Sequence, residues 1–333
     1  MRFALTPDSL FTVRQSRQNA ELRARLETVS QEVITGRRAD TLEATNGRLG
    51  DAFLLDKASA DITRQRSMAD LAGARLNGAA GSVSVIRETL LGFNGTARNS
   101  LAQGHENDLD LLTLNASDAL AQITGALSRR QGTRHLFSGT QSVGVPLSSP
   151  ADIEAGVNAI ISGSADAATA SADIEAYFNA PGGGFETDIY QGSAEDGPRL
   201  HITDTKSFDP LPKGDDPLFR DILRGLSLVA GSGNATTRDD QIAMIEEGLA
   251  LLDTAVEGVL AMESRLGSAQ QSLERTDSVL QTEASLIAAA QDKLLGRDVF
   301  DAAAELQSLE GQLEASYTVT GRLGSLSLAN FLR

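Results

Sequence analysis

Between Leu252 and Leu294 an apolar residue returns at every seventh position: Leu252, Val259, Leu266, Leu273, Leu280, Ile287 and Leu294. A strict repeat of this kind keeps one narrow seam of a helix against a partner and underwinds the helix into a left-handed supercoil. At 1.5 Å per residue such a helix is roughly 60 Å long. No compact core needs a helix of that length, so it has to lie along other long helices. The repeat slips by one residue at Gly296-Arg297-Asp298 and resumes on Leu295, Val299, Ala302, Leu306, Leu309 and Leu313. It then weakens through Tyr317 and Leu323 to Leu326. This stretch is built for packing.

The partners are encoded upstream. A second helix is expected over about 51–103, where Leu55, Ile62, Ala69, Leu76, Val83, Leu90 and Ala97 form one series at seven-residue spacing. Ala58, Ala72, Ala79, Ile86 and Phe93 supply most of its companion series. Five glycines (Gly73, Gly78, Gly81, Gly92, Gly95) interrupt it, each at a cost of roughly 1 kcal/mol relative to Ala. Its stability must therefore come from packing, which small side chains favour by letting a neighbour approach closely. A third helix over about 106–134 carries Leu109, Leu112, Ala116, Ala119 and Ile123 on one face. Gly104-His105 marks the turn before it, so the two should form an antiparallel hairpin. At the N-terminus Leu22, Leu26, Val29 and Val33 fall at 4-3-4 spacing. Thr6-Pro7 reads as the start of that helix and Gly36 as its C-cap.

Composition narrows the class. Aromatic residues are only 4% and Trp is absent, which suits closely packed helices better than a large core around an enclosed pocket. A formal charge of −16 argues against nucleic-acid partners, which reward Lys and Arg. The charge is uneven: residues 1–50 carry eight Arg against six acids, and residues 240–333 six bases against fifteen acids. The two ends are electrostatically complementary, although exposed pairs contribute little at physiological salt. With no cysteine there is neither a disulfide framework nor a thiolate metal site. No segment approaches the ~20 apolar residues needed to span a bilayer, and MRFALTPDSLF lacks the plan of a cleaved signal peptide. Taken alone this reads as cytoplasmic; export by a route that leaves the signal uncleaved fits equally.

The middle, 140–234, differs from both flanks and holds seven of the eight prolines. Asp152–Ile161 and Ala167–Phe178 are expected to be helical, and Phe185–Tyr190 and Arg199–Thr203 to be strands. Asp216-Pro217 is expected to cap a helix running through Leu228. The segment reads as a small inserted α/β domain, of which about 148–232 is expected to be replaceable by a short linker because no heptad crosses that interval.

Chemistry-bearing patterns are weak. Gly182-Gly183-Gly184 lacks the Lys-Ser/Thr and helix that a phosphate-cradling loop requires and reads as a turn. His105, His135 and His201 lie without ligand spacing. No nucleophile elbow, HExxH or strand-following GxGxxG occurs. No cofactor, no metal, no small-molecule substrate and no catalysis are expected.

The run Leu26-Glu27-Thr28-Val29-Ser30-Gln31-Glu32-Val33-Ile34-Thr35-Gly36-Arg37-Arg38 resembles the N-terminal L..LQ.Q..TGKR signature of the flagellin superfamily. Arg134-His135-Leu136-Phe137-Ser138-Gly139-Thr140, followed by Val145-Pro146-Leu147, resembles the signature of its hook-associated members. The ending Leu323-Gly324-Ser325-Leu326-Ser327-Leu328-Ala329-Asn330-Phe331-Leu332 is similar to the superfamily terminus. The stretch from Asp40 to Thr45 lacks the DDP triplet usual after the first signature.

Together these readings give a mainly α fold, a long-helix coiled-coil bundle formed by the N- and C-terminal halves with a small inserted α/β domain. Residues 1–45 with 291–333 are expected as a terminal helical assembly domain, 46–139 with 235–290 as a helical rod domain, and 140–234 as the insert. The rod seam would be Leu55, Ile62, Leu76, Val83, Leu90, Leu266, Leu273, Leu280, Ile287 and Leu294. The assembly interface would be Leu22, Leu26, Val29, Val33, Leu306, Leu309, Leu313, Leu323 and Leu326, because two helices alone make a thin seam and small cores are marginal. The resemblance implies a structural subunit of the bacterial flagellum between hook and filament. Its partners would be copies of itself in a ring, a neighbouring hook-associated protein, flagellin and an export chaperone, with no nucleic acid and no membrane. It would be extracellular, exported without a cleaved signal peptide. A filament subunit and a cytoplasmic coiled-coil binding module remain the alternatives.

Overall fold

A computed structural model describes residues 7–331 apart from 46, 48, 104, 142 and 204, and excludes the side chains of 7–12, 43, 103, 106 and 323–331. Within it the chain divides into two compact units, residues 1–64 with 280–333, and residues 65–279. The elements in chain order are α1 (Pro7–Thr35), α2 (Thr41–Ala44), α3 (Leu49–Gln103), α4 (Glu106–Leu127), β1 (Arg130–Gln131) and β2 (Arg134–His135). Then come α5 (Pro150–Gly163), α6 (Ala167–Asn179), β3 (Leu200–Thr203), β4 (Lys206–Phe208), α7 (Pro217–Gly231), α8 (Arg238–Leu295) and α9 (Val299–Phe331).

The seven-residue series become the seam between α3 and α8 in the larger unit. Ile62 lies in the smaller unit and is buried there; Leu76, Val83, Leu90, Leu266 and Leu273 are buried in the larger. Polar pairs run down the same seam: Arg66 with Asp277 at 3.6 Å, Gln270 with Asn77 at 2.6 Å, Arg87 with Glu263 at 3.0 Å and Asn94 with Asp253 at 3.1 Å. Partner numbers fall along α8 as they rise along α3, so the helices are antiparallel. In the smaller unit Leu280 is buried, while Leu55, Ile287 and Leu294 are half-buried.

Helix α4 turns back on α3, with Thr89 and Gln122 in contact at 3.4 Å. It stops at Leu127, short of the expected Arg134, because Gly132 takes φ +60° and turns the chain into the β1–β2 hairpin. The glycines of α3 divide into two sets. A Cβ on Gly73 would meet Leu273 at 3.3 Å, on Gly78 Leu136 at 2.9 Å and on Gly81 Arg129 at 3.3 Å. Gly92 and Gly95 face open space.

The insert is largely helical. Ser149, Asp166 and Asp216 cap α5, α6 and α7 with side-chain oxygens that accept from Asp152, Thr169 and Leu218 N–H. Phe137 meets Phe219 edge-on at 5.8 Å, and Phe178, Phe185 and Ile189 complete the core. Leu200–Thr203 is a strand as expected, paired antiparallel with β4. Phe185–Ile189 is instead a single π-helical turn, and pairing is reduced to one bridge between Tyr190 and Leu147. The reason lies in spacing: the buried side chains are Phe185, Ile189 and Tyr190, a helical rather than alternating period.

The insert is also less separable than its heptad-free sequence suggests. α7 packs on α4, α5 and α6, and its Phe219, Ile222, Leu223, Leu226, Leu228 and Val229 are buried. It crosses α8 closely enough that a Cβ on Gly248 would lie 2.6 Å from Val229 and 2.8 Å from the Gly225 carbonyl. Removing α7 would strip a core face from two long helices.

Candidate assembly site

The smaller unit brings the two chain ends together. α1 packs along α9, and the contacts run antiparallel: Asn19 accepts from Ser316, while Arg25 reaches Glu305 through Nε at 3.0 Å and Nη2 at 2.8 Å. Nε of Arg23 donates to the Tyr317 hydroxyl at 2.7 Å. Of the residues expected at the assembly interface, Val29 and Leu309 are buried, and Leu22, Leu26, Val33, Leu306 and Leu313 are half-buried. Leu323 and Leu326 fall outside the described side chains, as does Thr6. The described seven therefore line a single thin seam, the one between α1 and α9.

At one end of this seam the chain breaks twice, and the breaks meet. α1 ends at Gly36, whose φ of +66° and N–H bond to the Glu32 carbonyl at 2.8 Å form a left-handed C-cap. α8 ends at Leu295, and Gly296 is held so tightly that a Cβ there would strike the Asp292 carbonyl. Between them Arg38 N–H bonds the Leu295 carbonyl at 2.7 Å and Arg297 N–H bonds the Gly36 carbonyl at 3.0 Å. The one-residue slip in the apolar repeat is thus a chain break that forms a short antiparallel bridge with the Thr35-Gly36-Arg37-Arg38 run.

Side chains lock the same place. Glu32 is buried; one carboxylate oxygen accepts from Ala39 N–H at 2.8 Å and the other pairs with Arg297. Arg297 also holds Glu305, which Arg25 approaches from the other side. Hydrogen bonds from Arg297 and then Arg25 hold the Glu305 carboxyl below its ordinary range, with burial opposing them. Buried Gln291 donates to Asp56 at 2.9 Å and accepts from Arg37 at 3.1 Å. The exposed Arg25 contributes little by itself, whereas the Arg297–Glu32 pair, largely out of water, fixes the angle at which the chain enters α9. None of Glu32, Gln291 or Arg297 was singled out from sequence. The signal for Glu32 was its place three residues after Val29 on the seam face.

Outside this network the smaller unit exposes large apolar side chains. Phe300 is 89% exposed, Ile34 79% and Phe53 69%, and Leu54, Leu286 and Leu42 are also mostly in water. Elsewhere, the three histidines stay apart. His105 faces Asp108, and the Nδ1 of buried His135 lies 2.8 Å from the Ser128 carbonyl. Among the described residues no group of three metal-binding side chains converges, and no helix is long and apolar enough to cross a membrane. Gly182, with φ +69°, makes a turn whose N–H bonds Glu186 at 2.9 Å, an acid where a phosphate cradle would need open donors.

Residues 249–332 match the family described as the bacterial flagellin C-terminal helical region. The fold resembles FlgL of Bacillus cereus, with a TM-score of 0.53 at 13% identity over 72% of this chain and 99% of that one. It also resembles a structure titled as a flagellar hook-associated protein of Vibrio parahaemolyticus, with a TM-score of 0.52 at 11% identity over 73% of this chain and 95% of that one. A sequence search of curated proteins finds no match. The family match thus covers the C-terminal quarter of the chain, from α8 through α9.

Proposed function

We propose that the chain is a structural adaptor subunit of the bacterial flagellum, forming the junction between hook and filament by packing its terminal helices against neighbours. The observation that carries this reading is the α1–α9 pair: a thin intramolecular seam, in a unit that exposes large apolar side chains, whose α9 lies inside the matched flagellin region. Singly exposed apolar residues are ordinary; several on one small unit mark a surface meant to be covered. The likeness to FlgL and to a hook-associated protein supports an adaptor rather than a filament subunit. On this reading copies of the chain form a ring between an upstream hook-associated protein and flagellin. Export runs through the flagellar channel with a chaperone. The work is mechanical, with no reaction and no cofactor. Residues 1–45 with 291–333 act in assembly, 46–139 with 235–290 as the rod and 140–234 as the insert.

Quantification in sheared flagella tests the reading. An adaptor is present as a small fixed number of copies per flagellum. Abundance comparable to the filament subunit would make it flagellin, and retention in the cytoplasm would make it a binding module.

A further inference from the structure

Within the smaller unit, the α1–α9 pair is joined to the rest of the chain at one place. The segment between α1 and α3 and the three residues between α8 and α9 are its only covalent links, and they meet in the bridge between Arg37 and Gly296. α1 makes its polar contacts with α9, through Asn19, Arg23 and Arg25, and with the break, through Glu32. Two arginines of the break reach opposite ways. Arg297 enters the terminal pair, to Glu32 of α1 and Glu305 of α9. Arg37 enters the base, to Gln291 of α8 at 3.1 Å, which donates in turn to Asp56 of α3 at 2.9 Å. The bridge between them has the layout of a pivot with a clamp on either side.

We propose that the Arg37–Gly296 bridge is a hinge about which α1 and α9 turn as one body, and that Glu32, Arg297 and Glu305 are the latch that holds the present setting. Hinges are a few residues at element ends that absorb a change in φ and ψ. Both strands of this one carry a glycine at the helix end, Gly36 at φ +66° and Gly296, the residue that reaches other backbone conformations at least steric cost.

Large apolar side chains stand in water within a few residues of the hinge, Ile34 and Phe300 on the side of the terminal pair, Leu42 and Phe53 on the other. A turn that brings the two sets together takes apolar surface out of water and pulls Arg297 from its carboxylates. The two contributions oppose each other across the hinge. A neighbour that covers one apolar set, or engages the latch, therefore selects the setting by its differential affinity. The inference rests on the adaptor reading for its use, which is to let one terminal pair meet two differently arranged neighbours.

The chain has no cysteine, so spin labels go only where they are placed. In the full chain, Glu283→Cys with Glu310→Cys spans the hinge, and Ala20→Cys with Glu314→Cys reports on α1 against α9 alone; all four positions are exposed. From Gly296 to Glu310 the lever is about 20 Å. Distances are read by pulsed electron resonance in the parent and in E32Q/R297A, which removes the latch without leaving a buried charge. The parent should show one narrow distance for each pair. In the double variant the spanning distance should shift or split, with the α1–α9 distance unchanged. A spanning distance that stays the same overturns the hinge, and so does loss of the α1–α9 distance, which makes the change fraying. A parent already spread over several spanning distances overturns the latch. The measurement is made on the isolated chain, so absence of the chain from flagella overturns the adaptor reading and leaves this result standing.

Discussion

The guanidinium of Arg297, in the break between the two last long helices, pairs with the buried carboxylate of Glu32 in the closing turn of the first. Two residues far apart in sequence thereby fix where the two chain ends turn toward each other. Arg297→Ala leaves Glu32 buried and uncompensated, which should cost the smaller unit about 2–4 kcal/mol. The double variant E32Q/R297A should recover most of it. Amide exchange along α1 and α9 reads the loss, while α4 and α7 should keep their protection. Equal loosening of both units would remove the pair from its assigned role.

Acid should separate α1 from α9. The Glu305 carboxyl is held below its ordinary value of 4.5 by Arg297 and Arg25, so the unfolded chain binds the proton more readily than the folded one. This contribution is complete above the ordinary value and disappears as pH falls through the lower folded one. Protease protection of α9 should therefore fall off below about pH 4. Glu305→Gln should flatten that acid limb and weaken protection at neutral pH. An acid limb unchanged in the variant would assign it to other carboxyls.

Leu309 and Leu266 are both buried, in different units, and substitution by Asp should separate their effects. Leu266→Asp places a charge in the α3–α8 seam and should lower the main thermal transition sharply, by several kcal/mol. Leu309→Asp should open the α1–α9 pair and abolish incorporation into flagella while leaving that main transition nearly in place. Similar large losses in both would make the terminal seam ordinary core.

The glycines of the long helices should answer oppositely. Gly92→Ala and Gly95→Ala add helix propensity where nothing lies nearby and should stabilise by up to ~1 kcal/mol each. Gly248→Ala forces a methyl toward Val229 and the Gly225 carbonyl and should destabilise by about 1–3 kcal/mol. Chemical denaturation of the three variants decides the signs.

The long elements were legible because their information is periodic: Leu252 to Leu294 and Leu55 to Ala97 each write one seam repeatedly. The one-residue slip at Gly296 was equally visible, but its meaning was not. Nothing local says that this break will hydrogen-bond to Gly36 and Arg38, because that pairing depends on how α1 and α8 align. The hairpin at 130–135 escaped notice because two two-residue strands carry too few positions for any period to register. Phe185 to Tyr190 misled for the same reason, with apolar ends that fit a strand and an interior that packs as a turn. The polar lock of Glu32, Gln291 and Arg297 was hidden because apolar periodicity cannot tell a buried charge from an exposed one.

Immunogold labelling of an epitope-tagged chain on isolated hook–filament preparations tests the adaptor reading most directly. The account predicts one narrow band of label at the boundary between hook and filament, absent when Leu309→Asp replaces the parent chain. Label distributed along the filament, or bound nowhere on the flagellum, would contradict it.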